Sequence, residues 1–297
     1  MTCHLSRNGF MGGFHTVQLN REFNYGGTVD NQLRALNNAG YFNPAPTDLN
    51  ALLTMASPTQ TQYSTEHRVR SYLMANCGHC HQPGVGGVGG LDARIYRPLS
   101  DIAIVNAALT NTMGNANNRV VRPGSLEESM ILNRISRLDN FRMPPLGTAT
   151  LDTQAIALVS AWITNDLPSY RSFADWQMTY FNATNTPDAA ASADPDGDRA
   201  NNSVEWLTGT NPTNSADFWP GVTPQLTGDV LTMSYPRVAN RGFEVQANTN
   251  ITNTTGWRFL DVPENRPYFA ATNQPVAVPD SVTNAAGKFY RMRVYEP

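Results

Sequence analysis

The sequence predicts a multidomain α + β chain. A mostly α domain occupies 63–168, a short helix–loop–helix segment 169–218, and a C-terminal antiparallel β-sandwich-like module 219–297, with a leading segment over 1–62. Three observations carry this reading. Apolar residues recur at helical spacing from about Glu66 to Pro168. Beyond Pro220 the period changes to two, with turn clusters between the alternating runs. The length, 297 residues, suits two or three domains better than one.

Composition narrows the function classes. The net charge of −3 predicts neither nucleic-acid binding nor attraction to acidic membranes. Lys288 is the one lysine, which argues against a lysine-ringed docking surface. Abundant Asn, Thr, Gly and Pro with 15% charged residues suit a secreted chain. No stretch approaches the roughly 20 apolar residues that span a bilayer. The start, Met1 to His15, has no basic region, apolar run and cleavage site of a signal peptide.

The leading segment is loop-rich, with Thr28 as the expected N-cap of a helix through Leu33 and Leu36 that Gly40 stops. Val69, Tyr72 and Leu73 mark an apolar stripe leading to Cys77, and glycines from Gly84 to Gly90 follow. Further helices are expected near Asp101–Leu109 and Glu127–Ile135. The last starts at Asp152 as N-cap, carries Ile156, Val159 and Ile163 on one face, and ends at Pro168. Phe173 to Phe181 continues as helix. The alternating runs Val230–Tyr235, Phe243–Gln246 and Phe289–Val294 are expected strands.

Three cysteines do not make a disulfide framework. Two of them stand in Cys77-Gly78-His79-Cys80-His81, the C-x-x-C-H attachment signature of c-type haem. Two thiols about one helical turn apart add to the two vinyl groups of one porphyrin, and the adjacent imidazole becomes the proximal ligand of the iron. The alternatives are half of a zinc ribbon and a redox dithiol. A structural zinc needs four ligands, and Cys3 and His4 lie more than seventy residues upstream; a thioredoxin-like site needs a βαβ setting that is missing. A second observation favours haem. Met143 lies 62 residues after His81 in Phe141-Arg142-Met143-Pro144-Pro145, where two prolines stiffen the loop that would present the thioether. A lone methionine is more often core filler; in this loop a sixth ligand is the better reading.

These features, with Val121-Arg122-Pro123-Gly124-Ser125, Ser129-Met130-Ile131-Leu132 and Trp162, resemble the class I cytochrome c domain over about residues 63–168. More narrowly, they resemble the version found in secreted multidomain proteins of planctomycete- and verrucomicrobium-type bacteria. The resemblance implies a mostly α cytochrome c-like domain whose first and last helices cross, bringing Tyr72 and Leu73 to Val159 and Trp162. It implies a c-type cytochrome that transfers electrons through a covalent haem held by Cys77, Cys80, His81 and Met143. With both axial positions filled, an electron carrier is favoured over a peroxidase. The alternatives are a haem peroxidase-like enzyme and a secreted binding or adhesion protein with an accessory haem. No catalytic dyad or triad stands out, so the chain is not expected to be an enzyme by itself.

Cys3-His4 resembles the second half of another C-x-x-C-H, so Met1 is expected to be internal to a longer chain and Cys3 and His4 a truncated second haem site. Residues 1–62 would then be the remnant of an upstream cytochrome-like segment, and the signal peptide for periplasmic or extracellular export would lie further upstream. The partner would be a redox protein or an upstream dehydrogenase domain.

Asp194, Asp196, Asp198 and Glu205 hold positions 1, 3, 5 and 12 of a twelve-residue loop, with Ala200 and Asn202 at positions 7 and 9. Alternating carboxylates closed by a bidentate glutamate are the calcium-loop arrangement. Arg199 stands where that pattern wants glycine, which predicts a weaker turn and low affinity. With Thr208-Gly209-Thr210-Asn211-Pro212, the segment resembles the thrombospondin type 3-like calcium repeats of secreted bacterial proteins, implying a structural ion. In the C-terminal module, Trp257 and Tyr268 suit core packing better than sugar stacking, and a structural or surface-docking role is expected.

Overall fold

The computed structural model describes residues 14–44, 46–84, 90–283 and 287–297. Cys3, His4 and residues 85–89 of the glycine-rich stretch lie outside the described residues. In chain order the helices are α1 (Thr16–Leu19), α2 (Gln32–Asn38), α3 (Thr65–Asn76), α4 (Met130–Ile135), α5 (Thr153–Ala161), α6 (Phe173–Phe181) and α7 (Asn202–Thr208). The strands are β1 (Glu22–Asn24), β2 (Val29–Asn31), β3 (Thr223–Thr227), β4 (Val230–Arg237), β5 (Gly242–Asn248), β6 (Arg258–Phe259), β7 (Gln274–Ser281) and β8 (Phe289–Tyr295).

The expected fold class is corrected. Among the described residues helix accounts for only 27% and strand for 19%, in short helices and three small antiparallel sheets, which settles on no decisive class. A multidomain α + β chain with a mostly α cytochrome c-like domain and a β-sandwich-like domain is therefore not what forms. The clearest departure is the helix expected over Asp101–Leu109. Only a 3-10 turn, Leu99–Asp101, forms there. Ala103 and Asn106 then take positive φ, 49° and 53°, which ends helical continuation. Val105 bridges Val121, and Val121 donates its N–H to the Ile104 carbonyl. Ile102 and Ile104 are both buried, a period of two suited to β-branched side chains.

The chain divides into two compact units. In the first, which includes residues 54–170, α3 starts at Ser64, whose side chain accepts from His67 N–H. Val69 and Leu73 of α3 share one core with Ile131 and Leu132 of α4, Val159 of α5, and Trp162 and Ile163. Asp152 caps α5 by accepting from Ala155 N–H, and the helix widens into a π turn over Trp162–Asp166 before Pro168. Arg70, 1% exposed, lies beside Glu66 at 3.6 Å and donates to the carbonyls of Ile95 and Arg97, tying α3 to the chain that follows the cysteine motif.

The second unit takes residues 22–53 and 171–296. Helix α2 begins later than expected. Asn31, not Thr28, is its cap and accepts from Leu33 and Arg34 N–H, because Val29–Asn31 pairs with Glu22–Asn24 as a hairpin. Strands β3, β4 and β7 make one three-stranded sheet and β6, β5 and β8 another, all antiparallel. Met233, Tyr235, Val278, Phe243, Val245 and Leu260, drawn from both sheets and the residue after β6, form a single core. Asn265, fully buried, locks one end by bonding Val245 N–H and the carbonyls of Val245 and Leu260. Among the described residues no helix is long and apolar enough to cross a membrane.

Candidate haem-attachment turn and acidic loop

The cysteine motif sits where α3 runs out. Cys77 is the C-cap (φ −120°, ψ −30°), and Gly78 N–H still reaches back to the carbonyls of Leu73 and Met74, at 3.1 and 3.3 Å. The Cys77 carbonyl then accepts from both Cys80 N–H, at 3.0 Å, and His81 N–H, at 2.8 Å, so the motif folds into one tight turn. Ala93 N–H closes on the His81 carbonyl at 2.8 Å. Gly78 is dictated by this geometry, because a Cβ there would lie 2.7 Å from the Met74 carbonyl oxygen.

Cys77 packs against the core that α3, α4 and α5 share. Burial, and then the neighbouring Cys80, push its thiol up to about 12. Cys77 carries a thiol outside any disulfide. Burial holds the His81 imidazole below the ordinary histidine range, and its Nδ1 is buried without a hydrogen-bond partner. Met143 comes from the loop after α4. Its N–H bonds the Arg134 carbonyl at 3.0 Å, and its side chain is 36% exposed. Arg134 and Arg137 both sit over the Phe141 ring, at 5.7 and 5.4 Å. The structure thus gathers Cys77, Cys80 and His81 in one turn and supplies Met143 from a separate loop.

Sequence reasoning missed His15. Its ring stacks on His79, inside the motif, with centroids 5.0 Å apart. Burial and then His79 lower its pKa. The contact joins residues 64 positions apart, and no local pattern announces it.

The acidic loop is the one place among the described residues where three or more metal-ligating side chains converge. Ligand atoms of Asp194, Asp196 and Asp198 all lie within 4.8 Å of one another. The loop wraps its own backbone. Asp194 accepts from Gly197 and Arg199 N–H at 2.9 and 3.0 Å, Asp196 from Asp198 at 3.2 Å, and Asp198 from Ala200 at 2.7 Å. Arg199 takes φ 82°, the left-handed conformation that glycine would supply, so the turn forms despite the substitution. Asn202 donates to the carbonyls of Asp188 and Ala190, while its Oδ1 is buried and unbonded. Glu205, on α7, is fully buried, and neither carboxylate oxygen has a hydrogen-bond partner. Burial, followed by Asp196, Asp198, Asp194 and Asp217, pushes its carboxyl up to about 7. Asp217 is a further carboxylate near this loop that the twelve-residue pattern did not include.

Cys77, Cys80 and His81 do not form such a convergent group. A tetrahedral ion held at about 2.0–2.3 Å needs its ligand atoms close together. Thioether attachment does not, because the two sulfurs join separate vinyl groups and the imidazole alone approaches the iron. No protein-family model, no curated protein and no solved structure matches this chain.

Proposed function

We propose that the chain is a c-type cytochrome that transfers electrons through one haem, joined to Cys77 and Cys80 and ligated by His81 and Met143. The observation that carries the reading is the turn at the end of α3. It brings the two cysteines of the motif and a buried imidazole nitrogen without a hydrogen-bond partner into one tight turn. A redox dithiol is disfavoured on physical grounds. Such sites lower the pKa of the attacking thiol, whereas the Cys77 thiol is pushed up to about 12.

A haem so held supplies a reversible iron(III)/iron(II) couple. The hydrogen bonds to the Cys77 carbonyl set the spacing of Cys80 and His81, and the shared core of α3, α4 and α5 holds Cys77 rigid. Covalent attachment to such a motif takes place outside the cytoplasm, so the protein would be periplasmic or extracellular. Its electrons would come from a redox partner or an upstream dehydrogenase domain. Export of the full chain with the haem-attachment machinery should give a product whose haem resists acid–acetone extraction and whose oxidised spectrum has a sulfur-to-iron band near the red edge. Cys77→Ser with Cys80→Ser should lose the covalent haem, and Met143→Ala should lose the band alone. Extractable haem in the wild-type protein refutes the reading.

A second reading is favoured by a separate observation. Glu205 is buried with both oxygens unbonded beside three converging aspartates. An unpaired buried carboxylate is costly, and a hard cation with oxygen ligands would relieve it. The acidic loop is accordingly a structural calcium site of Asp194, Asp196, Asp198, Asn202 and Glu205, with the Ala200 carbonyl. Calorimetry on the full chain should show saturable calcium binding that Glu205→Gln weakens. Absence of binding heat in the wild type overturns it.

A further inference from the structure

The β unit has an outward face that neither reading above uses. On β8, Tyr290, Met292 and Val294 pack against the core, so the alternate residues Phe289, Arg291 and Arg293 point away from it, and all three are exposed. On β5, Glu244 and Gln246 alternate with the core residues Phe243 and Val245 and lie opposite Arg293 and Arg291 in register. A line of planar polar side chains results. Arg291 Nε donates to Gln246 Oε1 at 2.7 Å, Gln246 Nε2 donates to Glu244 Oε1 at 2.5 Å, and Glu244 lies 4.0 Å from Arg293.

Trp257 stands beside this line. It is half-buried, it lies outside the core that the two sheets share, and the Arg291 guanidinium sits 4.6 Å from its ring centroid. The loop that leads to it, 249–255, is exposed and made of Asn, Thr and one Ile. Asn248 and Asn253 hold that loop by accepting from the Asn250 and Thr255 N–H groups. Arg258, exposed on β6, donates to the carbonyls of Thr255 and Trp257 at 2.8 and 3.1 Å. Among the described residues neither Arg258 nor Arg291 enters a salt bridge, and Arg293, with its side chain 63% exposed, has only the 4.0 Å contact. Glu244, Gln246, Trp257, Arg258, Arg291 and Arg293 together carry a charge of +2, in a chain whose net charge is −3.

Stacking on an indole fixes the plane of a guanidinium, and a fixed guanidinium edge pairs in two-point fashion with a carboxylate or sulfate. The exposed Phe289 and the half-buried Trp257 add flat apolar surface of the kind that the C–H face of a sugar ring covers. The Asn and Thr side chains next to them offer both donors and acceptors, which suits hydroxyl groups. An open face built on a sheet suits an extended polymer better than an enclosed small molecule.

We infer that this face binds an acidic polysaccharide. Its carboxylates or sulfates pair with Arg291, Arg293 and Arg258, and its sugar rings lie against Trp257 and Phe289.

The test runs the full chain, with calcium present, through native gels containing hyaluronate, dextran sulfate or uncharged dextran. Retardation as a function of polymer concentration gives the affinity. Hyaluronate, dextran sulfate or both should retard the chain, and dextran should not. Retardation by one polyanion alone identifies carboxylate or sulfate as the group recognised. Raising the salt to about 0.5 M should release the chain, because exposed charges are then screened. Arg291→Gln combined with Arg293→Gln should weaken binding about tenfold or more, with the unfolding temperature showing that the variant is folded. Trp257→Ala should weaken it to a similar extent, and Trp257→Phe, which keeps a smaller ring, should weaken it less and serves if the alanine variant does not fold. Retardation by neither polyanion, equal retardation by dextran, or wild-type affinity in the double arginine variant overturns the proposal. Equal affinity for single-stranded DNA overturns the assignment to a polysaccharide. None of these outcomes depends on haem attachment.

Discussion

Glu205 allows the calcium reading to be tested through pH. In the folded chain its carboxyl is pushed from the ordinary 4.5 to about 7, first by burial and then by the aspartates around it. The folded state therefore holds this proton more tightly than the unfolded state. Below about pH 4.5 both states are protonated and the group contributes nothing. Between about 4.5 and 7 the unfolded chain releases its proton first and stability falls. Above about 7 the loss is complete, at about 3 kcal/mol. For a unit of roughly 150–250 residues this lowers the unfolding temperature by roughly 6–12 °C. The whole unit should register the change, because α7 is anchored on both sides. Trp206 donates from its indole to the Arg171 carbonyl at 3.0 Å, and Arg241 donates to the Leu207 carbonyl at 2.9 Å. Thermal unfolding at pH 5, 6, 7 and 8 should show this decline in EGTA. In millimolar calcium the decline should vanish, since a bound cation favours the ionised carboxylate. Glu205→Gln should flatten the EGTA profile and remove the response to calcium. Equal slopes with and without calcium in the wild type, or a steep slope retained in Glu205→Gln, would refute the reasoning.

Three further predictions rest on packing. Gly78→Ala places a methyl 2.7 Å from the Met74 carbonyl oxygen, so it should cost about 1–3 kcal/mol in denaturant unfolding and lower the yield of attached haem. Trp162→Ala empties the centre of the core around α3 and α5, where Trp162 is fully buried. A loss of about 3–5 kcal/mol is expected, and a loss under 1 kcal/mol would show that the core is not built round this ring. Asn265→Ala strands Val245 N–H and the carbonyls of Val245 and Leu260. At about 1–3 kcal/mol for each buried group left unbonded, the β unit should unfold several kcal/mol earlier in urea titrations.

The parts of this molecule that were legible in the sequence are those decided within a dozen residues. Ser64 and Asp152 cap α3 and α5 because a short oxygen-bearing side chain can reach the N–H three residues on. The cysteine turn and the aspartate loop are equally local, each closed by bonds spanning two to five residues. Where the expectation failed, a non-local partner decided. The backbone at Ile104 is bonded by Val121, which a helical count along 101–109 cannot register. Thr28 lost the capping role to Asn31 because Val29–Asn31 is held in the β1–β2 hairpin. The overall class failed for a related reason. Pro, Gly and Asn keep each element short, so spacing that locally resembles helix or strand does not extend into a dominant layer.

Arg237 shows how far local pattern can go when it is followed to the end of an element. The alternation through Leu231, Met233 and Tyr235 sets the inward face of β4, and the next residue of that parity is Arg237. A charged residue on an inward parity requires a partner, a strand end, or a bulge that reverses the face. The register runs without interruption from Val230 opposite Ser281 to Arg237 opposite Gln274, so no bulge rescues it. The strand does end there, but Arg237 is 5% exposed, so the end does not return it to solvent. The remaining possibility is a partner, and the chain supplies two: the Tyr235 hydroxyl beside it and the Tyr268 ring, 5.2 Å from its guanidinium. The parity of four residues in one strand was thus enough to single out the position.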